Sequence, residues 1–254
     1  MAKEFIVVII AITLFLGAVF YYQNNTLDVA YRTAIQENEK QNPFANCSKD
    51  KNPVFDSHVT DLTKIERIIP PGSWARDEQS GSRIFKTHSF LHVRLSERAP
   101  IFAPADSALY SGVFYSENNK EQYLLFLRVS CEVFYVLDHI DEVEPYIRNK
   151  FSEEPRQSTE STVEFEKPVL IESGELIGHT EGTPEAHSWD FGVYNKSRPN
   201  FLDEVKDYDG YTPYPRDKIA DCPYSYFNQE LRSSYTSIFS DFSGGDNYSS
   251  AFCN

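Results

Sequence analysis

Positive charge is scarce in this chain of 254 residues: Lys and Arg total 24 against 38 Asp and Glu, a formal net charge of -14. Nothing in that balance would neutralise a phosphate backbone, which excludes a nucleic-acid-binding role. Methionine is almost absent, with 1, and tryptophan is rare, with 2. A sustained helical stripe is also missing after the N-terminal region, which excludes a helical bundle. The chain lacks a lysine motif suited to biotinylation and a paired-histidine phosphorylation site. An A-x-A-like cleavage site is missing after the first apolar run, so that run reads as an uncleaved anchor and not a removed signal, although removal with secretion of the body stays open.

That apolar run is Phe5 to Tyr22, uncharged, and as a helix it would span about 27 Å, enough to cross a bilayer. It places residues 1–22 as a transmembrane segment with the body outside the cytoplasm. Residues 23–68 are polar and read as a stalk with a short helix near Leu27 to Glu39. The body is expected over 69–195, followed by an extension over 196–254 with a helix near Tyr226 to Phe239. Sequons at Asn24, Asn46, Asn195 and Asn247 are compatible with glycosylation.

At 41% hydrophobic and 15% aromatic residues, the chain can bury a sizeable core in one domain. Its pattern is β. In YLLFLRVSCEVFYVLDHI the odd positions from Tyr123 to Leu137 are apolar, while Arg128, Ser130, Glu132 and Asp138 fall among the even ones. Period two over that length predicts one long strand or two collinear ones, and an all-β sandwich or barrel. Cys131 lies on the apolar phase and reads as a buried thiol. Cys222 and Cys253 bracket a tail with little core of its own and are the expected pair, leaving Cys47 unpaired or joined to Cys131.

Three histidines stand where chemistry is expected: His88 and His92 in HSFLH, and His187 in EAHSWDFGVYN. Between them come IFAPADSALYSG, then YVLDHI with His139, then GELIG. In order and spacing, residues 88–195 resemble the lysostaphin-like zinc metallopeptidases, whose fold is the duplicated hybrid motif. Those proteins carry H-x-x-x-D, then A-P-x-x-G, then a strand-end histidine, then G-x-x-I-G and H-x-H-F. Here His92 stands in place of the aspartate and Asp190 in place of the second histidine of H-x-H. The resemblance implies one zinc held by His88, His92 and Asp190, with His139 and His187 as acid and base groups. The histidines of H-x-H share a strand face, whereas His187 and Asp190 are three apart, and a bulge near Ser188 is needed to align them.

A membrane-anchored extracytoplasmic zinc endopeptidase acting on peptide bonds of an envelope polymer or surface protein is the implied function. The alternative is an inactive relative that keeps the β scaffold as a binding or regulatory module. His58 and His179 match no motif position, Trp189 and Phe191 read as core, and the charged segment 148–168 reads as a loop on the cleft side.

Overall fold

The computed structural model describes residues 47–76, 83–159, 162–242, 245 and 248–253. The proposed anchor 1–22, the short helix expected near Leu27 to Glu39, and the sequons at Asn24, Asn46 and Asn247 lie outside them. Among the described residues no helix is long and apolar enough to cross a membrane.

Among the described residues the fold is nearly all β, with thirteen strands in chain order. The largest sheet runs β1 (Ile65–Ile69), β4 (Ser89–Val93), β12 (Ser188–Asn195), β8 (Val133–Ile140), β7 (Lys120–Arg128), β6 (Ser107–Glu117) and β10 (Val163–Ile171), and β13 (Ala220–Asp221) pairs with the far end of β12. A second sheet is made of β5 (Ala99–Phe102), β11 (Leu176–Thr180) and β9 (Glu142–Val143), and β2 (Ser73–Arg76) forms a hairpin with β3 (Arg83–Lys86). Among the described residues the α-helices are two short ones, α1 (Pro145–Arg148) and α2 (Gln229–Thr236).

The alternating run 123–137 is two strands folded back on each other, not one long strand. β7 and β8 pair antiparallel, and the turn closes through Val129 N–H donating to Val133 O at 3.0 Å. Ser130 braces the turn, its Oγ accepting from the amides of Glu132 and Val133. Because the connection preserves parity, Leu125, Leu127, Val133, Tyr135 and Leu137 all reach the same core, each fully buried.

One face of the large sheet carries that core. Leu91, Trp189, Phe191 and Val193 join it, and Ile101 and Ile177 of the small sheet pack against it. Residues on both flanks of the strands cover the rest. Phe55 and Val59 are fully buried, so the folded body begins by Cys47 and not near residue 69; the stretch 47–68, expected as stalk, is part of it. Tyr224, Phe227, Tyr235 and Phe239, from the expected extension, close the same core. Helix α2 starts at Asn228, whose side chain accepts from Leu231 N–H.

Disulfides join Cys47 to Cys131 and Cys222 to Cys253, so Cys131 is not a free thiol. Part of the segment expected as a loop over 148–168 is the edge strand β10, and Arg156 pairs its backbone with Phe114 and Ser116 of β6. Asn195 is fully buried, its amide donating to Lys51 O and Tyr226 Oη, so in the fold this sequon cannot carry a glycan.

Candidate metal centre

The opposite face of the large sheet holds the polar cluster. Asp190 pairs with Phe90 of β4 on one side and Asp138 of β8 on the other, so in an antiparallel ladder all three project from the same face. Trp189, one residue earlier, points the other way and is fully buried. His88 immediately precedes β4 and packs over Gly192: a Cβ there would lie 3.1 Å from that of His88 and 2.9 Å from Tyr194 Oη. The glycine makes room for the imidazole, whose Nε2 stands 3.0 Å from Asp190 Oδ2.

His139 reaches the cluster by a bulge. The β7–β8 register runs Tyr123↔Ile140 and then Leu125↔Leu137, so Leu124 alone faces both Asp138 and His139. His139 takes a positive φ of 62°. The sequence places His139 on the inward, apolar phase; the bulge turns it to the outer face beside Asp138 while Ile140 returns to the core. Its Nε2 lies 3.8 Å from Asp190 Oδ2. Its Nδ1 meets Gln122 Oε1 at 2.9 Å and Tyr115 Oη at 3.0 Å. An amide oxygen only accepts, so Nδ1 carries the proton and Nε2 presents its lone pair to the cluster when the ring is neutral.

The electrostatics follow from this crowding. Burial opposes a charge on Asp190, but His88, His139 and Lys86 outweigh it and hold the carboxyl at about 2. Burial also opposes protonation of His139, yet Asp138, Asp190 and Glu117 prevail and raise its pKa. For Asp138 burial dominates and raises the pKa against the pull of His139. Tyr115, whose hydroxyl donates to Asp138 Oδ1 at 2.8 Å, is pushed far up by burial and then by that carboxylate.

Asp138, His139 and Asp190 each offer a ligand atom, all within 4.8 Å of one another. The donor set suits a divalent cation: two carboxylates, one imidazole with its tautomer fixed from behind, and a buried Asp190 Oδ1 that no described group satisfies. A pocket of about 30 Å³, wide enough for a water or two, opens on it between His88, Asp138, Asp190 and Gly192, with Arg216 among its lining residues.

Of the residues expected at the site, the structure gathers His88, Asp190 and His139. His92 projects from the same face but stands four positions along β4 from His88, about 13 Å at strand rise, with Phe90 between them. Its Nδ1 lies 3.1 Å from Ala186 O, and burial followed by Arg67 lowers its pKa to about 4. It does not join the cluster. His187 is exposed in the loop before β12, with φ 50°, and its carbonyl accepts from Val93 N–H. The β12–β4 register is unbroken from Ser188↔His92 to Phe191↔Ser89, so the bulge expected near Ser188 is absent there. Ser188, not His187, shares the face of Asp190 two residues before it. Asp138, Tyr115 and Gln122 were not among the expected site residues. The one signal for Asp138 was two successive polar residues, Asp138-His139, breaking an alternating strand.

No family model matches the chain, and no curated protein matches it. Among solved structures, Csd3 of Helicobacter pylori is similar over 72% of this chain at 15% identity and a TM-score of 0.35. The chain spans 39% of Csd3. A complex of SpoIIIAH and SpoIIQ is similar over 67% of this chain and 94% of the matched one, at 9% identity and a TM-score of 0.32. Lysostaphin is similar over 63% of this chain and 61% of its own, at 13% identity and a TM-score of 0.30.

Proposed function

We propose that this protein is a membrane-anchored, extracytoplasmic metallopeptidase-like protein that binds one zinc ion and hydrolyses peptide bonds in an envelope or surface substrate. The observation that carries the reading is the convergence of Asp138, His139 and Asp190 beside a small pocket on the outer sheet face, with Asp190 Oδ1 buried and without a hydrogen-bond partner among the described residues. The order of motifs resembling the lysostaphin-like peptidases supports the reaction class, and two disulfides fit an oxidising compartment.

Asp138, His139 and Asp190 would hold the ion, and a zinc bound there supplies a Lewis acid and an acidified water. Gln122 and Tyr115 fix the His139 ring from behind. His88, 3.0 Å from Asp190 and open to the pocket, takes the proton from the attacking water and returns it to the leaving amine. The roles expected of His88 and His139 are thereby exchanged. His92 and His187 have no part in this assignment.

A second reading, a binding module without hydrolysis, is favoured by Ser188, which occupies the strand position where H-x-H carries its first histidine. Elemental analysis of the full-length chain after zinc reconstitution, with amide hydrolysis measured on glycine-rich and cross-linked peptides, separates the two. About one zinc per chain, lost in Asp190→Asn and His139→Gln, together with hydrolysis lost in His88→Gln, is the expected result. Zinc without hydrolysis of any peptide establishes the module, and absence of zinc uptake sinks both metal assignments.

A further inference from the structure

The pocket over the cluster is not built from strands alone. Arg216, from the segment after β12, lines it together with His88, Asp138 and Asp190. Its guanidinium lies against the rings of Tyr194, at 5.4 Å, and Phe126, at 5.9 Å. Among the described residues no carboxylate pairs with it, and it is exposed. An aromatic face orients a guanidinium without consuming its N–H donors, which leaves the planar fork available to an anion.

Its position is fixed by its neighbour. Asp217 is 4% exposed and accepts from Thr87 Oγ1 at 2.9 Å, from Tyr214 N–H at 2.8 Å and from the Tyr211 hydroxyl. Thr87 directly precedes His88. A buried carboxylate thus ties the turn bearing Arg216 to the chain segment bearing His88, and an exposed cation lines the same pocket as the carboxylates of Asp138 and Asp190. In a protein of net charge -14, a fixed cation in that pocket selects what enters.

We propose that Arg216 binds a carboxylate of the substrate, so that the site takes peptides with a free carboxylate beside the bond that is presented to the cluster. This rests on the peptidase-like reading for the bond acted on, but the carboxylate preference itself is independent of hydrolysis. The anionic group is a C-terminal carboxylate or an acidic side chain, which share the fork-to-carboxylate geometry.

The test measures binding calorimetrically on the full-length, zinc-reconstituted chain with three probes: acetyl-Ala-Ala-Ala free acid, its C-terminal amide, and acetyl-Ala-Glu-Ala amide. At least one acid-bearing probe is expected to bind about tenfold or more tightly than the neutral amide. Which one does so identifies the source of the carboxylate. In Arg216→Gln the preference is expected to vanish and in Arg216→Lys to survive in part, with zinc stoichiometry and melting temperature unchanged in both. Equal binding of all three probes, no binding of the acid probes, or a preference that persists in Arg216→Gln overturns the proposal. Loss of zinc binding in the unaltered protein with the carboxylate preference intact instead overturns the metal reading alone.

Discussion

The two faces of the large sheet are built from the same strands and obey different rules. On the inner face, residues such as Leu91, Leu137 and Trp189 are fully buried, and their contribution is close-packed apolar volume. On the outer face, neighbouring positions of those strands carry Phe90, Asp138 and Asp190, where the loss of one atom changes what the cluster can hold. Part of that face is also apolar, with Leu124, Phe134, Val136 and Tyr194 packed together, so the polar cluster sits at the border of a second, smaller core. The comparison teaches that the main core and the polar cluster are separated by sheet face and not by domain.

Adjacent residues of β12 give the sharpest test of that separation. Trp189→Ala is expected to cost about 3–5 kcal/mol in urea unfolding, with zinc uptake by the surviving folded fraction intact. Opening Cys222–Cys253 with a double alanine variant removes the clamp on the segment that covers the inner face. A loss of about 3–4 kcal/mol is expected for a bridge with a sequence separation of 31, again without direct effect on the cluster. Asp190→Asn should reverse the pattern, weakening zinc binding at least about 100-fold while melting shifts by only a few degrees. If Trp189→Ala abolishes zinc binding while folded protein persists, the two faces are coupled and the comparison fails.

Acid titration gives a smaller effect of defined sign. His92 has a folded pKa of about 4, below its unfolded value, so the folded state resists its protonation. Stability therefore falls as pH drops from about 6.5 towards 4, by no more than about 3 kcal/mol. His92→Gln should flatten that slope. Asp190, held at about 2, contributes stability above its unfolded pKa that is lost only below pH 4, and His139, shifted upward, contributes stability lost as pH rises above its folded value. The three windows do not coincide, and chemical denaturation across pH resolves them. The smallest effect is expected from Gly192→Ala, whose Cβ would press on His88 and Tyr194: zinc affinity falls several-fold with the inner face untouched.

Legibility in the sequence also divides by face. Inner-face positions could be read from parity alone, because burial and alternation coincide at Leu125, Leu127, Tyr135 and Leu137. The turn between β7 and β8 could not, since no glycine, proline or asparagine marks it and the connection keeps the phase. At the cluster, His88 and Asp190 were visible through motif order, and His139 through its strand-end position. His92 and His187 were not correctly placed, because spacing says nothing about how far H-x-x-x-H extends along a strand or where β12 begins. The bulge that turns His139 to the outer face beside Asp138 was hidden, because it is a change of register that no single residue announces. The membership of residues 47–68 in the core was missed because its buried residues Phe55, Val59, Ile65 and Ile68 follow no regular period and stand among charged ones.

The burial of Tyr224, Phe227, Tyr235 and Phe239 over the inner face has a consequence for how the protein is made. Every strand of the large sheet, the two-residue β13 included, precedes them in the chain. A growing polypeptide can therefore pair its strands while the aromatic cover is still inside the ribosome, at a few to some 20 residues per second. For those seconds the nascent sheet shows Trp189, Phe191 and Tyr135 to water and to any other unfinished copy nearby. Yield in the cell is then governed by what shields that face during translation, and slower elongation through residues 196–239 without added chaperone should lower it.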